Sequence, residues 1–429
     1  MKQARVLALG VCLCLVIPTS VRGAGYGIYE QGAAVLGMAG AGTASVEDAS
    51  AVFFNPAAMT RLEGTHLYLG STALTPITSF AGVNPYPGYG VVEEMDRRLF
   101  MPPIVYVTRR YEGPWAVGVG LNTPFGLGVE WKDPDRFTGR YIVVKADLQA
   151  LNLGLSAAYQ VNPLLSVAAG GNAMFSKVEL KNRTLAPPPG GGGGQVDVAE
   201  VKLASSFKPG YGWNAAVSFA PNEQWRLGAS YRGKVTVDAE GDAEFRQILT
   251  GDPAFDAAVA AGLPPDQGVS TVLRFPAIWS MGVAWIRPET WKVEASLVYT
   301  EWSLFRDIPL RFDDPSLNTT IVEDYDDALA IRVGAEHRLA SYTYRFGYYF
   351  EQEAAPPESV SPLLPDAPRH GVTLGLGLPL GGRKRWTLDL YNLSLFVQNR
   401  DTEGVNRDGF DGEYKSYINA FGLSLGYRW

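Results

Sequence analysis

Several charged side chains in this 429-residue chain keep a fixed phase against apolar neighbours. Arg226, Arg232, Arg332, Arg345 and Arg428 alternate with apolar residues, as do Glu294, Glu336, Glu351 and Asp389. Opposed charges sharing one face of a sheet can neutralise one another in a wet interior. Alternatively, one or two guanidinium groups are left to hold a ligand carboxylate by charge-assisted hydrogen bonds. Lys177, Lys181 and Arg183 form a further basic group, and Phe125, Leu127, Val129 and Trp131 form an apolar run suited to a greasy molecule or to packing on itself. No catalytic set accompanies them. His66, His337 and His370 lie in separate stretches, outside any Ser/His or metal-binding pattern, and the acidic runs 324–327 and 408–411 lack calcium-loop spacing. The expectation is a protein that binds without catalysing, with no metal and no cofactor.

The elements that position these residues are strands. Leu151, Leu153, Leu155, Ala157 and Tyr159 alternate with Asn152, Gly154, Ser156, Ala158 and Gln160, and Tyr417 to Trp429 repeats the pattern. About fourteen such runs follow Thr65, joined alternately by short links and by long ones at 123–145, 180–209, 239–269, 305–326, 353–368 and 399–413. Up-and-down connection of that kind predicts an all-β, antiparallel, membrane-spanning barrel. The third strand is expected at 114–122, where Gly113, Pro114, Gly118 and Gly120 would weaken the ladder and permit a kink. A shift of apolar phase between Leu390 and Leu393 predicts a β-bulge. Pro253 to Gly262, rich in Ala, predicts a short helix in a long loop, and Pro187 to Gly194 a flexible tip. Trp115, Trp213, Trp279, Trp285, Trp291 and Trp386 sit where interfacial girdles belong.

Composition agrees with export. Lys2 and Arg5, the apolar run Val6 to Ile17 and the small residues before Ala24 predict a secretory signal over 1–23. Both cysteines lie within it, so no disulfide framework is expected. Beyond it there is no uncharged apolar run long enough for a membrane helix. The net charge of −7 becomes more negative once the basic leader is lost, which excludes nucleic acid as a partner.

Between the signal and the first strand, residues 24–62 are rich in Gly and Ala and end in Phe53-Phe54-Asn55-Pro56-Ala57. Small residues pack in confined space, and Asn55-Pro56 imposes a turn, so this segment reads as a plug inside the barrel formed by 63–429. The run Ala24-Gly25-Tyr26, the sequence Gly37 to Gly42, the pair Glu47-Asp48 and Asn55-Pro56-Ala57 resemble the N-terminal hatch of the FadL/TodX family. Asn122 to Leu127, Arg274 to Ala284, Thr300 to Ser303 and Tyr344 to Tyr348 extend the resemblance over nearly the whole chain. It implies a monomeric outer-membrane transporter for long-chain fatty acids or aromatic hydrocarbons in a Gram-negative cell. It also implies gating at the Asn-Pro-Ala turn, a basic ligand contact near Lys177, Lys181 and Arg183, and release through the wall beside a kinked early strand. The aromatic C-terminus resembles the signal read by the barrel-assembly machinery. Outer-membrane lipid and lipopolysaccharide are then the surround; the acidic loop runs read as solvated charges, with divalent ions bridging them to lipopolysaccharide as the alternative. A porin for polar solutes shares the alternation but does not need the Gly/Ala-rich segment.

Overall fold

A computed structural model describes residues 25–189, 194–381 and 385–429. The expected signal at 1–23, and part of the tip at Pro187 to Gly194, lie outside the described residues. Fourteen antiparallel strands close into a barrel. They are β1 (Thr65–Gly82), β2 (Pro103–Arg110), β3 (Trp115–Glu130), β4 (Lys145–Asn162) and β5 (Leu165–Ala186). Three long strands are each broken by a short irregularity: β6 (Val196–Ser205 and Lys208–Phe219), β7 (Trp225–Arg232 and Val235–Gln247) and β8 (Gln267–Phe275 and Ile278–Arg287). The rest are β9 (Trp291–Thr300), β10 (Ala328–Arg338), β11 (Thr343–Glu351), β12 (Arg369–Leu380), β13 (Trp386–Val397) and β14 (Gly412–Arg428). Pairing of β1 with β14 from His66↔Arg428 to Gly82↔Gly412 closes the ring, so no sheet edge is left along that seam. Apolar side chains such as Leu155 and Leu423 point outward and are exposed, as a lipid-facing wall requires.

Two expectations about the strands are corrected. β3 does not stop at 122 but runs to Glu130, so the first long link is shorter than 123–145. No bulge interrupts β13: its register with β12 runs unbroken from Arg369↔Val397 to Leu380↔Trp386. The apolar phase shifts because Tyr391, Leu393 and Leu395 point inward and are buried. In both places the inner wall is itself apolar, so alternation of hydrophobicity fades although alternation of geometry persists. The helix at Pro253–Gly262 is α3, with Asp252 capping it through the backbone N–H groups of Ala254 and Phe255.

Residues 25–62 run inside the ring, with two short helices, α1 (Ala33–Leu36) and α2 (Ala51–Phe54), and a 3₁₀ turn at Pro56–Arg61. Wall side chains hold their backbone. Glu294 on β9 accepts from the N–H groups of Ala44 and Ser45, each at 2.9 Å. Thr373 on β12 accepts from Ala39 at 2.9 Å, and Ser424 on β14 accepts from Ala33 at 3.2 Å. Close approach requires glycine in the wall: a Cβ on Gly334 would lie 2.2 Å from the Met38 carbonyl, and one on Gly228 2.2 Å from that of Thr43. Gly334→Val is therefore expected to leave the barrel assembled but to displace residues 37–40. Hydrogen exchange should show the amides of 33–46 losing protection by at least about tenfold; unchanged protection would mean that the wall yields instead.

Candidate functional site

The wall is irregular on one side of β3. Its register with β4 breaks between Asn122 and Phe125, leaving Thr123-Pro124 outside the ladder, and its pairing with β2 ends at Val105↔Leu121. Proline has no N–H to offer a neighbouring strand. Beyond Asn122 the missing partner comes from inside the barrel. Ile28 donates to the Pro124 carbonyl at 2.8 Å and Gly126 donates to Tyr26 at 3.0 Å, so residues 26–28 act as a short inner strand. Gln31 secures the junction by donating from Nε2 to the carbonyls of Thr123 and Ile28, both at 2.9 Å. Without these partners, backbone groups would stand unpaired in the wall, at a cost of several kcal/mol each in hydrocarbon, on the order of the transfer penalty for a bare amide.

Against that irregularity lies a cavity of about 630 Å³, between residues 25–30 and the inner faces of the strands. Phe125, Leu127, Leu148, Leu393, Leu395 and Ile418 supply apolar walls, and Thr123 and Pro124 border it. Arg98, Arg332 and Arg369 also line it. Arg98 is held by Asp147 at 2.7 Å, and Arg369 by Glu351 at 3.1 Å. Arg332, 2 % exposed, lies over the rings of Tyr29 and Tyr349, with its guanidinium carbon 4.0 and 4.4 Å from their centroids. Its Nη1 donates to the Ala39 carbonyl at 3.0 Å and its Nη2 lies 3.8 Å from Glu351. Its Nε is buried and, among the described residues, has no acceptor. Glu30 faces the same cavity; burial raises its carboxyl pKa, while Arg369 and Arg332 oppose the rise.

On the opposite side of residues 25–62, Glu47 meets Arg226 at 2.9 Å, Lys292 at 3.6 Å and also Arg338. Burial alone would raise its carboxyl, but Lys292, Arg338 and Arg226 outweigh that and hold it at about 2. A depressed acid contributes above its ordinary pKa and is lost only as pH falls through the depressed value, so this anchor persists through neutral and mildly acidic pH. Arg345 is engaged there by Glu336 and Asp389, both at 2.6 Å. Asn55 is fully buried: its Nδ2 donates to Thr43 at 2.7 Å and Val217 at 3.0 Å, while its Oδ1 caps the turn through Ala57 N–H at 3.1 Å. Pro56 opens that turn, and Phe53 lies 4.5 Å beneath Arg232, edge-on to Phe54.

A family model described as outer membrane protein transport protein (OMPP1/FadL/TodX) matches residues 14–429. The chain belongs to this family. Among FadL/TodX relatives, it is 24% identical to a long-chain fatty acid transport protein of Escherichia coli strain CFT073, over 98% of this chain and 97% of that protein. It is 25% identical to a 47 kDa outer membrane protein of Pasteurella multocida, over 96% of each. Its fold matches a FadL homologue of Pseudomonas aeruginosa with a TM-score of 0.84 at 22% identity, covering 94% of this chain and all of that one. The toluene transporter TbuX of Ralstonia pickettii matches with a TM-score of 0.69 at 19% identity, over 93% and 98%. Like its family, the chain is an outer-membrane protein.

Within this FadL/TodX barrel the residues singled out from sequence fall into separate places. Arg332, Phe125 and Leu127 line the large cavity together. Arg226 and Arg345 lie across residues 25–62 from it, engaged by carboxylates. Lys177 sits 5.0 Å over the Phe207 ring, Arg183 pairs with Asp135 and Glu200, and Lys181 neighbours Lys145 and Lys202 on adjacent strands; none of the three lines the cavity. Trp131 is stacked on Phe137 at 4.4 Å and donates to Pro362, so it packs a loop. Gly113 and Pro114 form the turn between β2 and β3, and Gly118 and Gly120 lie in an unbroken register. The interruption lies further on, at Thr123-Pro124; Gly118 instead makes room for Met59, which a Cβ would meet at 2.4 Å. Arg369 and Glu30 are cavity residues that the sequence reading did not select. Arg369 lies four residues before Thr373 and shares its inward phase, so the alternation of β12 carried back to its first residue would have found it.

Proposed function

We propose that the chain carries long-chain fatty acids across the outer membrane without an energy source. The acyl chain lies in the large cavity, and the carboxylate takes the free Nε–H of Arg332. That unpaired buried donor carries the reading, because a buried polar group without a partner is costly and a carboxylate would satisfy it. The E. coli relative, named for long-chain fatty acid transport, supports the same class of cargo. Residues 24–62 act as a hatch: while residues 26–28 complete the ladder beside Thr123-Pro124 the wall is shut, and when they withdraw the gap in β3 faces the cavity. Ligand then leaves sideways into lipid rather than down an open pore. Capture must stay modest for release to follow.

The test is uptake of labelled oleate and of toluene by cells whose only such transporter is this chain, with and without residues 24–62. Oleate uptake about tenfold or more above transporter-free cells, altered by loss of the segment in barrels that still assemble, is expected. Uptake of neither, with free passage of sugars through the intact chain, would replace this reading by a porin.

A further inference from the structure

The lipid-facing wall is apolar around most of the barrel and polar on one face. On β13, Asn392 and Ser394 alternate with the buried Tyr391, Leu393 and Leu395, so their side chains point outward. Asn419 on β14 and Ser71 and Thr75 on β1 share the outward phase, since Ala420 and Thr72 beside them are buried. Register places Ser394, Asn419 and Thr75 in one row across the three strands, with Asn392 opposite Phe421 and Ser71 opposite Leu423 in the rows beneath. Among the described residues, outward side chains at these depths on the other strands are apolar, aromatic or glycine, as at Leu153, Val217, Met281, Ile331 and Leu374.

Aromatic pairs bracket this face. Phe396 lies with Tyr417 toward the long loops, 5.6 Å between centroids, and Trp386 with Tyr427 toward the short turns, at 4.4 Å. At about 3.4 Å per residue and a tilt of about 40°, β14 rises about 26 Å from Tyr427 to Tyr417, the height of a barrel's apolar band. Asn419 is then about 5 Å and Asn392 about 10 Å inside that band, at the depth of acyl chains. Hydrogen bonding within the face is incomplete. Asn392 donates from Nδ2 to Asn419 Oδ1 at 3.3 Å and to the Ala420 carbonyl at 3.2 Å, Asn419 donates to the Leu393 carbonyl at 3.2 Å, and Tyr417 donates to Ser394 Oγ at 3.4 Å. Among the described residues, Asn392 Oδ1 has no donor, and the Ser394 hydroxyl proton and the second N–H of Asn419 have no acceptor. Polar groups left unmet in hydrocarbon are costly.

We propose that two copies of the chain meet through this face in the membrane, about a twofold axis along the membrane normal, with Asn392 Oδ1 of each copy taking a hydrogen bond from Asn419 or Ser394 of the other. The face holds unmet donors, an unmet acceptor and no charge, so it complements itself, as an isologous contact requires. Depth selects a second copy over lipid. Head groups lie at the interface and acyl chains offer no polar atom. An identical barrel inserts to the same depth, because the same apolar band sets it, and so brings its own polar row level with this one. Hydrogen bonds then favour association where lipid and wall are equally apolar. Phe396, Phe421 and Leu423, each about half exposed, flank the row and add apolar contact. The family resemblance implies a monomer, and at this face the chain departs from that expectation.

The test is disulfide cross-linking in isolated outer membranes. The expected mature chain has no cysteine, so Leu423→Cys reports on this face with every polar residue kept, and Met281→Cys, on β8 across the barrel, is the control. Oxidation is expected to join Leu423→Cys barrels into dimers at least about tenfold more than Met281→Cys barrels. Adding Asn392→Leu and Asn419→Leu should lower the yield at least about tenfold, the equivalent of 1.4 kcal/mol. Heat-dependent gel mobility checks that each barrel is folded. Mass photometry of the unmodified chain, extracted with its native lipid in polymer discs, should find two chains per particle. One chain per particle, equal cross-linking at both cysteines, a yield that survives both Asn replacements, or a cross-linked product containing a different protein would overturn the proposal. The particle mass needs no variant, so it decides even if a cysteine variant fails to assemble. Failure of oleate uptake in cells would leave these results standing.

Discussion

Oleate binding should fall between about tenfold and a hundredfold when Arg332 is replaced by Leu, while toluene binding stays within about twofold. The size follows from the contact: a hydrogen bond to a charged group contributes about 1.5–3 kcal/mol, and each 1.4 kcal/mol is a factor of ten. Arg332 also supports the Ala39 carbonyl and lies against Tyr29 and Tyr349, so its loss also disturbs the packing of residues 25–62. Toluene separates the two causes. It is apolar and has no carboxylate, so a shift of residues 25–62 should lower both ligands and a lost anion contact only one. Arg332→Lys keeps the charge but lacks the Nε–H, and should recover only part of the oleate affinity. The measurement is equilibrium binding to purified protein in lipid nanodiscs. Loss of both ligands in parallel would assign Arg332 to structure and direct attention to Arg369.

Much of this molecule was legible from period-two alternation, because a lipid-facing wall and a wet, small-residue interior differ in hydrophobicity at every step. The reading failed where the interior is greasy. Leu393 and Leu395 point into the lumen, so the apolar phase of β13 jumps without any break in register. Phe125 and Leu127 do the same at the far end of β3, where alternation of hydrophobicity fades after residue 122 although the strand runs on to Glu130. Local rules give way at functional sites, and here the two misread stretches both line the same cavity. Charge was harder to read. Arg226, Arg332 and Arg345 share an inward phase, yet only Arg332 reaches the cavity. Which side of residues 25–62 an inward arginine meets depends on its height along the strand and on a carboxylate such as Glu47, hundreds of residues away in some cases. Spacing along one strand does not encode that.

Linking residue 27 to residue 125 by a disulfide should stop fatty-acid uptake, and reduction should restore it. Gly27 and Phe125 are bridged antiparallel partners at the place where the N-terminal segment completes the β3 ladder. Antiparallel partners have Cα atoms roughly 4.5–5.5 Å apart, within the range a disulfide spans. A Cβ at Gly27 would find its nearest neighbour, Trp302, at an ordinary 3.6 Å. The expected mature chain from Ala24 onward has no cysteine of its own, so a Gly27→Cys, Phe125→Cys pair meets no competing thiol. On the proposed route residues 26–28 leave the β3 edge so that the gap at Thr123-Pro124 opens, and the cross-link forbids that while leaving the large cavity in place. Uptake of labelled oleate by oxidised cells should drop to roughly a tenth or less of the reduced value, an energetic block of at least about 1.4 kcal/mol. Binding to purified protein should survive oxidation. The single Phe125→Cys variant controls for the lost ring, which packs edge-on to Tyr26 and Trp302. If the oxidised pair carries oleate as fast as the reduced one, ligand leaves by a path that does not need this seam.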